Sequence, residues 1–402
     1  VTVFERLVGQ GHVDAELTTA AAAARGADAG SAMTHSWLFT GPPGSGRSVA
    51  ALAFAAALQC TDGSVVGCGA CHACSTTMAG THGDVRRVVP QGLSISVAEM
   101  RSIVQTAARR PSTGRWQVVI IEDADRLTEG AANALLKVVE EPPDRTVFLL
   151  CAPTVDPQDI SVTLRSRCRH VHLVTPSVDA IAQVLRERDG LDAEAAQWAA
   201  SISGGHVGRA RRLATDPDAR ERRRKALALA DAALRPASAY LAAEELVRDA
   251  DAEAKEISAR LDEQETDELR TALGAGGTGK GAAGALRGSA GVLKELERRQ
   301  KSRATRTGRD ALDRALVDLA ALYRDALACS WDADVTANHP DADDRARALA
   351  SRTTPAGLLT CIEAVLECRE AISVNVKPQW AVDAMVARIA AAFRDPFSRS
   401  GG

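Results

Sequence analysis

Short apolar runs recur through the first 175 residues, at Trp37-Leu38-Phe39, Val85 to Val89, Val118-Val119-Ile120-Ile121 and Val147-Phe148-Leu149-Leu150. Each is bounded by turn-forming residues, as expected of strands buried on both faces of a parallel sheet. Helical spacing fills the gaps, from Val97 to Ala108 and from Thr128 to Glu140. The second of these stops at Pro142-Pro143, which removes backbone donors and forces an extended path. Alternation of this kind predicts an α/β layered domain over residues 1–175.

Past Pro176 the pattern changes. Residues 176–232 read as a small helical domain of short segments, with Gly204-Gly205 as its clearest break. Residues 233–402 are rich in Ala, Leu and charge, with almost no strand-like alternation, and predict an all-α C-terminal domain. The Gly-rich stretch 274–291 within it has the composition of a flexible connector. No internal repeat is evident.

Composition narrows the class. The 402 residues are 46% hydrophobic and 25% charged, with a net charge of −3. That is ordinary globular composition, and it excludes a collagen-like or disordered chain. It also argues against a stand-alone basic DNA-coating protein. No apolar stretch approaches the roughly 20 residues of a membrane span, and Val1 to Arg6 shows no charged-then-apolar leader. The expectation is a cytoplasmic protein with no membrane partner, in a reducing compartment where disulfides are not expected.

The chemistry begins after the first strand. Gly41-Pro42-Pro43-Gly44-Ser45-Gly46-Arg47-Ser48 leads into a helical run from Val49 to Gln59. Glycines allow backbone N–H groups to fold around a phosphate, and the following helix presents its positive end. Strand, loop and helix in this order make a P-loop; the plain alternative is a strand-to-helix turn. One position departs, because Arg47 stands where the motif has Lys, and a planar guanidinium does not replace a compact ammonium.

Glu122-Asp123 closes the Val118–Ile121 strand. A hydrolytic site of this type offers Asp to the magnesium shell and then Glu to align water. Here the order is inverted and Asp123 is one methylene short. Gly41, Gly44, Ser45, Gly46, Arg47, Ser48, Glu122 and Asp123 thus form a degenerate nucleotide site that can hold ATP or ADP without hydrolysing it. A second glycine–lysine loop, Gly274 to Lys280, lacks a following Ser or Thr and a preceding strand, and reads as linker.

Cys60, Cys68, Cys71 and Cys74 are spaced C-x₇-C-x₂-C-x₂-C. Four thiolates close a tetrahedral site with no open position, so a structural Zn²⁺ is the expected occupant. A redox C-x₂-C pair and an iron–sulfur cluster are the alternatives. His72 and His82 read as spectators, and the other five Cys as small buried hydrophobes.

These features together resemble the clamp-loader branch of the AAA+ ATPases of bacterial DNA polymerase III. The resemblance rests on Phe4 with Val8-Gly9-Gln10, the P-loop followed by the four-Cys insert, Ala131 to Lys137 running into Glu140-Glu141-Pro142-Pro143, and Ser166-Arg167-Cys168. It implies an AAA+ domain (1–175, zinc module 60–74), a helical lid (176–232) and an oligomerising collar (233–402). Arg47 and the inverted Glu122-Asp123 point to the non-hydrolysing delta-prime type. The motor's nucleotide-sensing Arg falls near Gly208, beside Arg209. The resemblance implies partners too: gamma/tau motor subunits and a delta subunit in a heteropentameric ring, the sliding clamp, and primed DNA through the assembled complex. It makes Arg167 an arginine finger acting in trans on the neighbour's nucleotide; the alternative is an ordinary salt bridge within its own domain. It also places Asn375 to Trp380 between neighbouring collars.

Arg287, Lys294, Arg298, Arg299, Lys301, Arg303, Arg306 and Arg309 form a basic run facing few acids. It reads either as a contact for DNA phosphates or an acidic partner, or as a solvated helix face, the plainer reading. A catalytically active AAA+ ATPase, such as the gamma/tau motor, is the competing assignment for the whole chain. A P-loop kinase lacks any evident acceptor pocket or base.

Overall fold

The computed structural model describes residues 2–26, 32–272 and 290–394, so the second glycine loop and most of the 274–291 connector lie outside the described residues. The chain separates into two compact units, Val1–Ala214 and Thr215–Gly402.

The first unit is built on five parallel strands: β1 (Ser36–Thr40), β2 (Val85–Val88), β3 (Gln117–Ile121), β4 (Thr146–Ala152) and β5 (Arg169–His172). Their order is β2-β3-β4-β1-β5. β1, β3 and β4 are buried along their whole length. Because side chains alternate across a strand, each strand feeds two cores. Trp37, Phe39, Val118, Ile120, Val147 and Leu149 pack with helices α1 (Gly11–Ala23) and α2 (Arg47–Gln59). Leu38, Val119, Ile121, Phe148 and Leu150 pack instead with α4 (Val97–Ala107) and α5 (Glu129–Glu140), while the short α3 (His72–Met78) belongs to the cysteine insert.

β5 was not visible as an apolar run. It is an edge strand in which only Val171 is buried, so Arg169-His170-Val171-His172 needs one hydrophobe rather than four. It leaves the one-turn helix α6 (Val162–Arg165). Three further helices, α7 (Val178–Asp189), α8 (Ala193–Ser201) and α9 (Val207–Thr215), form a small core around Ile181, Leu185, Ala196 and Ala200. Ser177 and Asp192 cap α7 and α8 through their side chains, and Gly190 ends α7 in the left-handed region.

All secondary-structure elements among the second unit's described residues are helices. Its core gathers Leu316, Leu319, Leu322 and Tyr323 from the helix Ala290–Ser330 with Leu358, Val365, Val382 and Ile389 from the last two helices, Pro355–Ser373 and Pro378–Arg394. The helix Pro217–Ala232 contributes Ala226, Leu227 and Ala230 to this same core. A buried polar knot braces the unit: Arg223 donates two 2.8 Å hydrogen bonds to Asp341 and one to His339. No helix among the described residues is long and apolar enough to cross a membrane.

Candidate nucleotide and zinc sites

The phosphate loop leaves the C-terminal end of β1 and opens α2. Gly44 and Gly46 hold φ values of +89° and +97°, which only glycine adopts readily. Close approach adds a second constraint: a Cβ on Gly44 would lie 2.5 Å from the Cα of His206, and one on Gly41 2.5 Å from the Leu173 carbonyl oxygen. The buried Gln10 side chain fastens the loop, donating to the Val174 carbonyl at 2.6 Å and to the Ser45 carbonyl at 3.3 Å. Ser45 Oγ and Arg47 Nη1 are buried without a hydrogen-bond partner. Buried orphan donors in a glycine-rich loop fit an anionic group such as the phosphates of a nucleotide.

The acidic pair meets this loop at one place. The charges of Glu122, Asp123 and Arg47 all act on the buried Cys151 thiol at the end of β4, and Ser48 acts on it to lower its pKa. Burial, reinforced by Glu122, holds that thiol well above its usual range. Burial likewise raises the Asp125 carboxyl, with Asp123 adding to the effect. Glu122 itself is engaged: Arg87 of β2 donates to its Oε1 from Nε at 3.0 Å and from Nη2 at 2.6 Å. Asp123 sits at φ +53° with Arg126 Nε 4.0 Å from its carboxylate. The loop therefore suits phosphate, whereas the carboxylate in the metal-shell position is neutralised by an arginine.

The four cysteines converge as their spacing requires. Their Sγ atoms all lie within 4.8 Å of one another, and those of Cys60 and Cys71 are 4.0 Å apart. A tetrahedral zinc with Zn–S of about 2.3 Å needs sulfurs roughly 3.8 Å apart, so the set fits a closed site after a small contraction. Backbone N–H groups of Cys68, Cys71 and Cys74 donate to the sulfurs of Cys60, Cys68 and Cys71 at 3.3–3.4 Å. Against the opposing effect of burial, bonds from Thr61 and Cys74 bring the Cys71 thiol down to about 5, which favours the thiolate a metal requires. Zinc would supply a cross-link for an insert too small to have its own core. That insert is tied to the rest of the unit by Arg25, which donates to the Asp62 carbonyl at 2.8 Å, and by Val3 N–H to the Gly67 carbonyl at 2.9 Å.

Arg167 lies between α6 and β5. Its Nε and Nη2 each reach Glu140 Oε1 at 2.6 Å, and Nη1 donates to the Thr163 carbonyl at 3.0 Å. Both partners remain at the surface. Gly208 lies in the first turn of α9, where Arg209 N–H is capped by His206 Nδ1 at 3.2 Å. In the basic run, Arg303 is engaged by Asp262 and Glu265, Arg298 by Glu295, Arg306 by Asp310 and Arg309 by Asn375. Those pairings favour the plain helix-face reading; Arg287 lies outside the described residues. Sequence reasoning missed Arg87 and His206, which face the site from β2 and from the start of α9. Gly204-Gly205 ahead of His206 was the one available signal.

A five-stranded parallel sheet with a P-loop at the end of β1 and an acidic pair at the end of β3 defines an AAA+ P-loop domain, here carrying a four-cysteine module and a helical continuation. Residues 23–177 match the family described as DNA polymerase III, delta subunit. The chain is 34% identical over 157 residues to the Bacillus subtilis DNA polymerase III subunit delta', a stretch covering 39% of this chain and 47% of that relative. It is 31% identical over 207 residues to the Mycobacterium tuberculosis subunit gamma/tau, covering 50% and 34%. A gamma subunit-related protein of Thermotoga maritima aligns over 94% of this chain and 100% of its own, at 17% identity and a TM-score of 0.42. Over residues 23–177 the chain is thus similar to clamp-loader subunits of DNA polymerase III. It spans about a third to a half of the length of these curated relatives.

Proposed function

We propose that the chain is the non-hydrolysing delta-prime subunit of a bacterial clamp loader. It completes a ring with gamma/tau and delta subunits, and that ring places the sliding clamp on primed DNA. The observation that carries this reading is the Arg87–Glu122 ion pair beside Arg47. With the first carboxylate of the acidic pair held by a guanidinium, the shell for the nucleotide's Mg²⁺ is incomplete, and Asp123 is too short for the water-aligning role. The glycine loop can still cradle ATP or ADP. Zinc on Cys60, Cys68, Cys71 and Cys74 braces the surface beside α2. Residues 1–175 act as the AAA+ base, the α7–α9 helices as the lid, and the helices that follow as the collar. Arg167 is donated to the neighbouring subunit's nucleotide.

The gamma/tau relatives at 31% identity favour a second reading, an active motor ATPase. Magnesium-dependent ATP turnover by the purified chain separates the two. The delta-prime reading expects turnover indistinguishable from background, and brisk hydrolysis in the absence of other subunits would overturn it.

A further inference from the structure

The end of the sheet opposite the phosphate loop carries an unassigned cluster of arginines. Asp84, 3% exposed, precedes β2 and latches the turn after α4. Its Oδ1 accepts from Ser112 N–H at 2.7 Å and the Ser112 hydroxyl at 2.9 Å; its Oδ2 accepts from Thr113 N–H at 2.8 Å and Gly114 N–H at 2.6 Å. Burial opposes the charge, yet these bonds hold the Asp84 carboxyl far below the usual carboxylate range. The latched turn is Arg109-Arg110-Pro111-Ser112-Thr113-Gly114-Arg115.

Neighbouring bonds gather more cations around it. Arg86 of β2 donates to Thr106 Oγ1 near the end of α4 at 3.1 Å. Gln117 N–H, two residues beyond Arg115, donates to the carbonyl of Arg145 at 2.8 Å, and Thr146 Oγ1 donates to the Ala107 carbonyl at 3.2 Å. Arg86, Arg109, Arg110, Arg115 and Arg145 are thus carried by adjoining segments of the unit, all exposed. None forms an ion pair with a described residue. The exposed acid nearest to them in sequence is Asp144, beside Arg145.

Three guanidinium groups on a latched turn, with Arg86 of β2 and Arg145 before β4 nearby and none of the five in an ion pair, are a local reversal of sign in a chain of net charge −3. Their self-repulsion is relieved by a polyanion. A protein partner would ordinarily add an apolar anchor at the centre of such a patch, and Pro111, Ser112 and Thr113 offer none. We infer that this cluster binds the phosphate backbone of DNA, without reading sequence, through Arg86, Arg109, Arg110, Arg115 and Arg145. The inference is independent of the proposed ring function, because the cluster is complete in a single chain.

The test is fluorescence anisotropy of a labelled primer–template DNA titrated with the full chain over 25–200 mM salt. Each phosphate contact contributes about 0.9 to the log–log salt slope, so Arg109→Ala/Arg110→Ala/Arg115→Ala should lower that slope by roughly 2–3 and weaken binding tenfold or more at low salt. The triple Lys variant should recover most of the affinity. Circular dichroism and zinc content report that the variants fold. Lys294→Ala/Arg299→Ala, on the other basic segment, should change little. Three results would each overturn the inference: no binding by the wild-type chain at low salt, an unchanged slope in the triple Ala variant, or displacement of DNA by poly-glutamate at equal charge concentration, which marks an acidic protein surface as the partner.

Discussion

Arg167 makes an internal salt bridge in the free chain and is proposed to act on a neighbour's nucleotide, and magnitudes decide between those roles. The Arg167–Glu140 pair is 37% and 44% exposed, so solvent screens it. Exposed pairs of this kind contribute about 0–1 kcal/mol. Releasing the guanidinium therefore costs at most about a fivefold factor. An arginine supplied in trans to a transferring phosphoryl group is worth roughly 10³–10⁵ in rate, about 4–7 kcal/mol of transition-state stabilisation. If the trans role holds, the internal bridge is only a resting place. Glu140→Gln should then shift urea stability by less than about 0.5 kcal/mol and leave ATP turnover of the reconstituted complex within threefold. Arg167→Ala should be equally stable, yet cost the complex much of the turnover at the one site it serves. Single-turnover kinetics at that site make the loss visible beneath the activity of the remaining sites. Two outcomes refute the reasoning: unchanged single-turnover rates in Arg167→Ala, or a loss above about 2 kcal/mol of stability in Glu140→Gln, which would make the bridge structural.

Three further outcomes follow from the first unit. Cys60→Ser should reduce bound zinc to well below one equivalent by elemental analysis and lower Tm by about 5–10 °C, because the metal replaces a core the insert lacks. Asp84→Asn should cost about 2–4 kcal/mol in urea unfolding at pH 7, since the amide keeps one acceptor oxygen but sets an NH2 donor against the donors that converge on the other. The folded-state pKa of Asp84 is depressed, so its contribution is present above the ordinary carboxylate pKa of about 4 and declines as pH falls below it. The gap between wild type and variant should narrow over that same acidic range. Gly44→Ala should cost about 2–4 kcal/mol against about 1 kcal/mol for Gly46→Ala, because both need positive φ but only Gly44 meets the backbone of His206; equal costs would remove the His206 contact as the cause.

The parts of the fold that sequence made legible share one trait: their signal is local. β1, β3 and β4 are buried on both faces, so composition alone marks them, and the glycine loop and the cysteine spacing are contiguous patterns. What stayed hidden depends on partners far apart in the chain. β5 reads as polar because a neighbouring strand satisfies its backbone on one edge only. Arg87 looked like one of two arginines in a strand until parallel register with β3 set it beside the carboxylate that follows Ile121. The helix Pro217–Ala232 carries no mark telling whether its apolar face belongs with the short helices before it or the long ones after. Its buried alanines and leucines join the latter.

A phosphate loop without a complete metal shell could in principle have drifted to any turn sequence, yet here it keeps three glycines and a buried polar brace. The contacts supply a reason that does not depend on turnover. Gly41 lets the loop pass against Leu173 at the end of β5, Gly44 lets it pass against His206 at the start of α9, and Gln10 bonds both Ser45 and Val174. These three contacts join the loop to the N-terminal segment, to the end of the strand that follows Arg167, and to the residue just before α9. A side chain at Gly41 or Gly44 would push on backbone atoms rather than on a flexible tip, so the strain could not be absorbed locally. The loop therefore helps to position the end of β5 at Leu173 and Val174, and through that strand the arginine proposed to serve a neighbour. On the proposed trans role for Arg167, the degenerate loop retains its shape because that arginine is aligned through it.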